Sequence, residues 1–181
     1  MPPVDCLTET GPSAAPPEGA LEMLSRLQAR TLQQCATLKR LAEYLAECGS
    51  DDEARQVAGT VARYFDTCQP RLFADEEEDL FPALLESMAG SDPVCLNELT
   101  AAMAGQHRML EAGWARLRNA LAAVMREDSD TLDRPEVEVF VNLYQSHIER
   151  EQSELLPMVQ RLLTDDALAE LWAAMRRRHE H

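Results

Sequence analysis

Apolar residues recur every three or four positions along most of the chain after residue 18, which is the spacing of one face of an α-helix. Residues 1–17 lack this pattern and are rich in Pro, Ser, Thr and Gly, a composition typical of disorder. Strand signals are scarce, because the β-branched run at 137–141 follows Pro135 and precedes a helical pattern. We therefore predict a disordered leader at 1–17 and one helical domain at 18–181.

Turn residues and prolines divide this domain into five helices. Asp92-Pro93, Arg134-Pro135 and Thr164 predict helix starts, and Pro70 and Pro82 predict a kink or break within the second helix. The predicted helices span about 18–48, 51–88, 92–126, 134–163 and 165–178. Because the connections are short, the expected fold is all-α, an up-down-up-down antiparallel four-helix bundle with a short fifth C-terminal helix. That helix should pack against one end of the bundle through Leu168, Leu171, Trp172 and Met175.

One segment occurs twice. Residues 147–157 read HIEREQSELLP, and residues 72–82 read LFADEEEDLFP. The copies share a central glutamate (Glu151 and Glu76), an acid three residues later, an apolar pair and a proline six residues after the glutamate. The two halves of the domain therefore resemble one another, and the aligned glutamates are candidates for one shared site.

The second copy has the spacing of a metal-binding pair. Positions i and i+4 lie one turn apart on one face of a helix, so His147 and Glu151 can reach one ion from the same side. The first copy keeps Glu76 but has Leu72 in place of the histidine. This asymmetry predicts a metal-binding bundle that has lost half of its nitrogen ligands.

Aligning the midpoints of the four helices brings further polar residues to the same level of the core. Imidazole and carboxylate groups in an apolar bundle suit Fe(II), Mn(II) or Zn(II). An alternative register would direct Glu77 inward instead of Glu76, but the two aligned prolines favour Glu76. The candidate metal ligands are Glu76, His107, His147 and Glu151, with Gln28 at the same level on the first helix.

Charge and hydropathy exclude several classes of partner. The net charge is -15, with 32 acidic against 17 basic residues, which disfavours nucleic acid and anionic membrane surfaces. No run approaches the length of a membrane span, and the N-terminus lacks the basic start and apolar run of a signal peptide. The expected location is therefore the cytoplasm.

The remaining reactive and large side chains predict structural roles. Five scattered cysteines without a CxxC pair argue against a disulfide framework. We expect Cys6 to be an exposed thiol in the leader and Cys68 a small core residue, and we expect His179 to lie at a solvated chain end. Packing in the core is predicted for Met103, Met109, Trp114, Met125 and Trp172.

The chain resembles bacterial hemerythrin-like (HHE cation-binding) domains over nearly all of residues 20–178. The stretches that carry the resemblance are QCATL at 34–38, YFDT at 64–67, ADEEEDLFPAL at 74–84, ESMAGSD at 86–92 and HIERE at 147–151. Such domains hold two irons in a four-helix bundle, using a histidine from helix one, a His-x-x-x-Glu pair from helix two, a histidine from helix three and a His-x-x-x-Glu/Asp pair from helix four.

Carried across by position, the resemblance implies that His107, His147, Glu151 and Glu76 are ligands. Gln28 stands at the helix-one histidine position and Leu72 at the helix-two position, so both departures fall on one iron of the pair. The resemblance thus implies a reduced site with one ion, most simply iron, in which Gln28 is a weak ligand or contacts a ligand.

The family's function is binding or sensing of O2 or nitric oxide, with related roles in iron handling, and this is the function expected here. A second hypothesis is a metal-free, degenerate bundle that acts as a regulatory or protein-interaction module. Catalysis at the metal ranks last, because no substrate-pocket signature, Ser-His-Asp set or phosphate loop is present. Homo-oligomer formation and any protein partner are left open by the sequence.

Overall fold

Helices that begin and end near the predicted breaks make up most of the described part of the chain. The computed structural model describes Cys6, residues 19–87 and residues 94–180. Their bounds are α1 (Ala20–Cys48), α2 (Asp52–Ala74), α3 (Phe81–Ser87), α4 (Val94–Met125), α5 (Arg134–Arg150), α6 (Leu156–Leu162) and α7 (Asp165–His179). The predicted division into a leader at 1–17 and a domain at 18–181 stays a prediction.

The helices pack in a ring of four. α1 packs against both α2 and α5, and α4 packs against the same two helices. Each helix of the ring thus contacts its neighbours in the chain, as short antiparallel connections require. The prediction of an all-α bundle with an additional C-terminal helix is confirmed.

Capping side chains fix several helix starts. Asp51 accepts a hydrogen bond from the Ala54 amide at the start of α2, and Asp133 accepts one from the Glu136 amide at the start of α5. Thr164 accepts one from the Ala167 amide, as its cap position predicts. The predicted start at Asp92-Pro93 lies outside the described residues.

Two π-helical turns, Asp75–Leu80 and Glu151–Leu155, interrupt the long helices. In the first the Phe81 amide donates to the Glu76 carbonyl, and in the second the Leu156 amide donates to the Glu151 carbonyl. Each turn lies next to a proline, whose missing N–H removes an α-helical hydrogen bond. The predicted disturbance near Pro82 is therefore a π-turn, whereas Pro70 lies inside α2 without ending it.

Aromatic rings form the centre of the core on one side of the predicted site. Phe65 is fully buried, with ring centroids 4.8 Å from Trp114, 5.3 Å from Phe140 and 5.7 Å from Tyr144. Of the sulfur-containing side chains predicted in the core, Met103 is buried. The prediction was wrong for Met109 and Met125, which are 59% and 38% exposed, although the Met125 sulfur lies close to Gly59 of α2.

Cys6 and Cys68 form a disulfide, which corrects the expectation of an exposed leader thiol and a free core cysteine. The bond ties the start of the chain to α2 across a sequence separation of 62 residues. Closing a long loop in this way typically contributes about 2–4 kcal/mol to stability. Disulfides are rare in reducing compartments, so this bond and the predicted cytoplasmic location argue in opposite directions.

The C-terminal helix α7 closes one end of the bundle. Leu171 and Met175 are buried, while Leu168 and Trp172 are partly buried against the core, as predicted. The expectation of a solvated His179 was wrong, because its side chain is 1% exposed and contacts Asp75. Within the described ranges, no helix combines the length and apolar character that crossing a membrane requires.

Candidate metal centre

Four buried side chains from three helical stretches meet in the middle of the bundle. Glu76 lies in the π-turn after α2, His107 in α4, His147 at the end of α5 and Glu151 at the start of the following π-turn. One ligand atom from each lies within 4.8 Å of all the others. The structure thus brings together all four residues that the sequence predicts as ligands.

The two imidazoles face each other across this space. His107 Nε2 lies 3.2 Å from His147 Nε2 and 2.9 Å from Glu76 Oε2. His147 Nε2 lies 3.5 Å from Glu151 Oε1, the contact expected for an i,i+4 pair. Two nitrogens and two carboxylates therefore point at one small volume.

Each imidazole is oriented by a hydrogen bond from its other nitrogen. His107 Nδ1 donates to Glu77 Oε1 at 2.6 Å, and His147 Nδ1 donates to Gln106 Oε1 at 3.1 Å. A carboxylate and an amide oxygen only accept, so the proton of each neutral ring belongs on Nδ1. Both Nε2 lone pairs are left pointing into the centre, as in metal-binding histidines.

Glu76, rather than Glu77, is the glutamate of the first copy that faces the centre. Glu76 is 1% exposed, whereas the Glu77 side chain is 41% exposed and holds His107 from the outside. The alignment of the two prolines thus selected the inward residue. The sequence analysis missed the contact of Glu77 with His107, although its position beside the aligned glutamate was a usable signal.

Gln28 contacts the opposite side of the centre. Its Nε2 donates to Glu151 Oε2 at 2.7 Å, and its Oε1 accepts from Gln152 Nε2 at 3.1 Å. Gln28 therefore holds one oxygen of Glu151 while the other oxygen faces His147. These two contacts connect α1, which carries Gln28, to the Glu151 side of the centre.

Apolar side chains occupy the remaining flank. Leu72 is buried one turn before Glu76, and Phe73 stacks on the His107 ring with centroids 4.0 Å apart. Phe81 lies parallel to the same imidazole at 6.2 Å. This apolar wall excludes water from one side of the centre and restricts the His107 ring to one orientation.

Burial keeps all four groups neutral when no cation is present. It raises the pKa of Glu76 to about 8 and, together with the neighbouring Glu76 charge, raises the pKa of Glu151 well above its usual range. Burial and the adjacent His107 lower the pKa of His147 to about 3, and burial also lowers the pKa of His107. The centre as a whole disfavours two free carboxylate charges.

The donor set fits a divalent cation. Within the described chain neither Glu76 oxygen has a hydrogen bond of good geometry, although both are buried. Once the two carboxyls are deprotonated, two Nε2 lone pairs and these oxygens face one another without a donor among them, an arrangement that a cation would stabilise. Nitrogen and carboxylate ligands together suit Fe(II), Mn(II) and Zn(II).

Comparison with known proteins agrees with this centre. A protein of Haemophilus influenzae, itself described as uncharacterised, is 28% identical over 160 residues, which cover 88% of this chain and 90% of that protein. The model of the hemerythrin HHE cation-binding domain matches residues 19–159, a range that includes all four side chains of the centre and ends before α7. The chain therefore belongs to the hemerythrin HHE cation-binding domain family.

Proposed function

We propose that the protein binds one non-haem iron ion at this centre and uses it to bind or sense O2 or nitric oxide. His107, His147, Glu76 and Glu151 would hold the ion. The observation that supports this best is the convergence of two imidazole lone pairs and two carboxylates, all buried, within 4.8 Å. The proposed count of one ion rests on Gln28 and Leu72, which stand where family members place two further histidines.

Some residues would bind the ion directly, and others would orient those ligands. The two histidines supply neutral nitrogens, and Glu77 and Gln106 fix the tautomer that leaves Nε2 free. Each carboxylate offsets one positive charge of the ion. Gln28 keeps Glu151 turned toward the centre by binding its second oxygen.

The environment of the centre is suited to a small neutral ligand. When bound, iron supplies the affinity for a diatomic molecule, and Mn(II) or Zn(II) would fill the same donor set without that chemistry. Leu72 and Phe73 form a dry apolar wall, which favours a neutral diatomic over an anion.

Anaerobic titration with Fe(II), after purification without chelator or a histidine tag, tests the proposal. We expect about one tightly bound equivalent, because one set of ligands is complete. Optical titration with nitric oxide and O2 should then change only the iron-loaded protein. About two equivalents would contradict the single-ion site, and less than about a tenth of an equivalent would favour the metal-free interaction module.

The stabilisation by metal should grow with pH. In the metal-free protein Glu76 has a raised pKa, so its contribution to stability is complete below the unfolded value near 4.5 and is lost as pH rises through about 8. His147 has the opposite effect on stability, because its pKa is lowered from 6.5 in the folded protein. This effect ends near pH 6.5, since above that pH the imidazole is neutral in both the folded and the unfolded protein. Between pH 6.5 and 8 the metal-free protein therefore loses about 1.4 kcal/mol per pH unit from Glu76.

Thermal unfolding with and without saturating Mn(II), at pH 6.5 and pH 8, measures this effect. The shift in Tm caused by metal should be roughly 4–8 °C larger at the higher pH. Glu76→Gln is the control, because it removes one of the two carboxyls with a raised pKa and should remove part of the increase, with the rest left to Glu151. An equal metal shift at both pH values would show that metal does not displace a proton from Glu76.

A further inference from the structure

The end of α7 contacts the π-turn that carries Glu76. The family match ends at residue 159, whereas α7 spans Asp165–His179, so this contact lies outside the matched domain. α7 packs against the π-turn Asp75–Leu80. A helix outside the matched range thus lies beside one of the proposed ligands.

Two adjacent side chains of α7 hold the acidic residues of this turn. Arg178 Nη1 donates to Asp75 Oδ1 and to Asp79 Oδ2, each at 2.6 Å, and Arg178 Nη2 donates to Glu78 Oε2 at 3.0 Å. His179 Nε2 lies 2.7 Å from Asp75 Oδ2. One arginine therefore binds three carboxylates, and Asp75 has a partner on each oxygen.

Asp75 is the centre of this cluster because it is fully buried. Its side chain is 0% exposed, and that of His179 is 1% exposed. A buried carboxylate is costly unless it is paired and hydrogen-bonded. Asp75 therefore stays inside only while Arg178 and His179 remain in place, and Leu171 and Met175 fix α7 there by burying its apolar face.

The direction of Glu76 depends on the same turn. Glu76 follows Asp75 directly, and its carbonyl accepts the π-type hydrogen bond from the Phe81 amide. Glu76 Oε2 lies 2.9 Å from His107 Nε2, but neither oxygen of the Glu76 side chain has a hydrogen bond of good geometry from the described residues, so the backbone that carries Glu76 has a large part in its direction. The backbone on which it stands is held by the neighbouring Asp75.

We propose that Arg178 and His179 are positioning residues that hold the Asp75–Leu80 turn so that Glu76 faces the metal centre. This inference rests on the proposed function, since it gives α7 a part in metal affinity. It makes the C-terminal helix a required component of the centre, although no α7 residue reaches the four converging side chains.

The test compares Arg178→Met with Arg176→Met. Arg176 lies on the same helix but pairs with Glu180 at the surface, so its loss removes a similar side chain without touching the turn. Competition with a chromophoric chelator for Mn(II) and Zn(II) should show affinity about 10–100-fold weaker in Arg178→Met and changed less than about two-fold in the control. Arg178→Lys should recover part of the lost affinity, because lysine keeps the positive charge but lacks the planar guanidinium that binds several carboxylates at once.

A double variant guards against simple misfolding. Arg178→Met leaves the buried Asp75 carboxylate with His179 as its remaining partner and should therefore destabilise the fold. Asp75→Asn/Arg178→Met removes both charges, so it should fold while still lacking the ion pair between Arg178 and the turn. A purely structural role for Arg178 would lower Tm without weakening metal binding far below Tm. Wild-type metal affinity in the folded double variant would therefore overturn the inference.

Hydrogen exchange of the metal-free protein separates this inference from the proposed function. Amides of residues 75–81 should exchange faster in Arg178→Met and in Asp75→Asn/Arg178→Met than in the parent and the Arg176→Met control. Unchanged exchange would overturn the inference that Arg178 holds the Asp75–Leu80 turn, whatever the metal affinities of the variants are. Absence of metal binding by the parent would refute the proposed function, while the exchange data would still decide whether α7 holds the turn.

Discussion

His147→Ala should lower bound Fe(II) from about one equivalent to less than about a tenth. The expected loss of affinity exceeds the roughly 10–100-fold that is typical when a residue that only hydrogen-bonds to a metal ligand is replaced. His147 supplies one of only two imidazole nitrogens, and its Nε2 lies within 4 Å of atoms from three other members of the centre. Removing it leaves one nitrogen for two carboxylates. Metal analysis of protein loaded anaerobically and freed of excess ion measures the outcome.

Gln145→Ala is the matched control, because Gln145 is exposed on the same helix. It should keep the full equivalent. Retention of metal by His147→Ala with the parent's affinity would refute the ligand assignment. An unchanged Tm in His107→Ala/His147→Ala, compared with the parent as purified, would instead support the metal-free module, since a metal bound only to the native state raises Tm.

Gln28→His/Leu72→His should raise the metal content from about one to about two equivalents, because it supplies imidazoles where family members carry them. Leu72 is buried one turn before Glu76, and Gln28 already contacts Glu151. Each new histidine would therefore lie next to a carboxylate that a second ion can share. Metal analysis after anaerobic loading again gives the count.

Gln28→Ala/Leu72→Ala changes the same two positions without adding nitrogen ligands and should keep a single equivalent or less. A folded double-histidine variant that still holds one equivalent would show that these two substitutions alone do not account for the single ion. Because the variant replaces Gln28, any second ion must also offset the lost hydrogen bond to Glu151.

Local spacing was enough to predict most of the helices and the proposed ligands. The i,i+4 distance within one helix gives His147–Glu151, and the duplicated segment gives Glu76 by alignment. Helix starts at Thr164 and Arg134 followed from cap residues and a first-turn proline. These features depend on a few consecutive residues, so the sequence contains them in full.

The errors about Cys6, Cys68 and His179 involve residues far apart in the chain. Cys6 and Cys68 are 62 residues apart, and no spacing rule pairs them. His179 lies at a polar chain end, and only the position of α7 brings it to Asp75. A residue's partner across the bundle depends on how whole helices pack, which local patterns do not specify.

Residue patterns alone were enough to predict a four-helix bundle, its duplicated half and the four side chains that face one another, because helical periodicity fixes which residues share a face. The surroundings of these side chains depend on how the helices pack. The tertiary structure placed Glu77 and Gln106 on the outer nitrogens of the histidines, Gln28 on Glu151, and Arg178 on the turn that carries Glu76. Those contacts join residues 30 to 123 positions apart, and they form only when the packed helices bury polar groups that must then find partners.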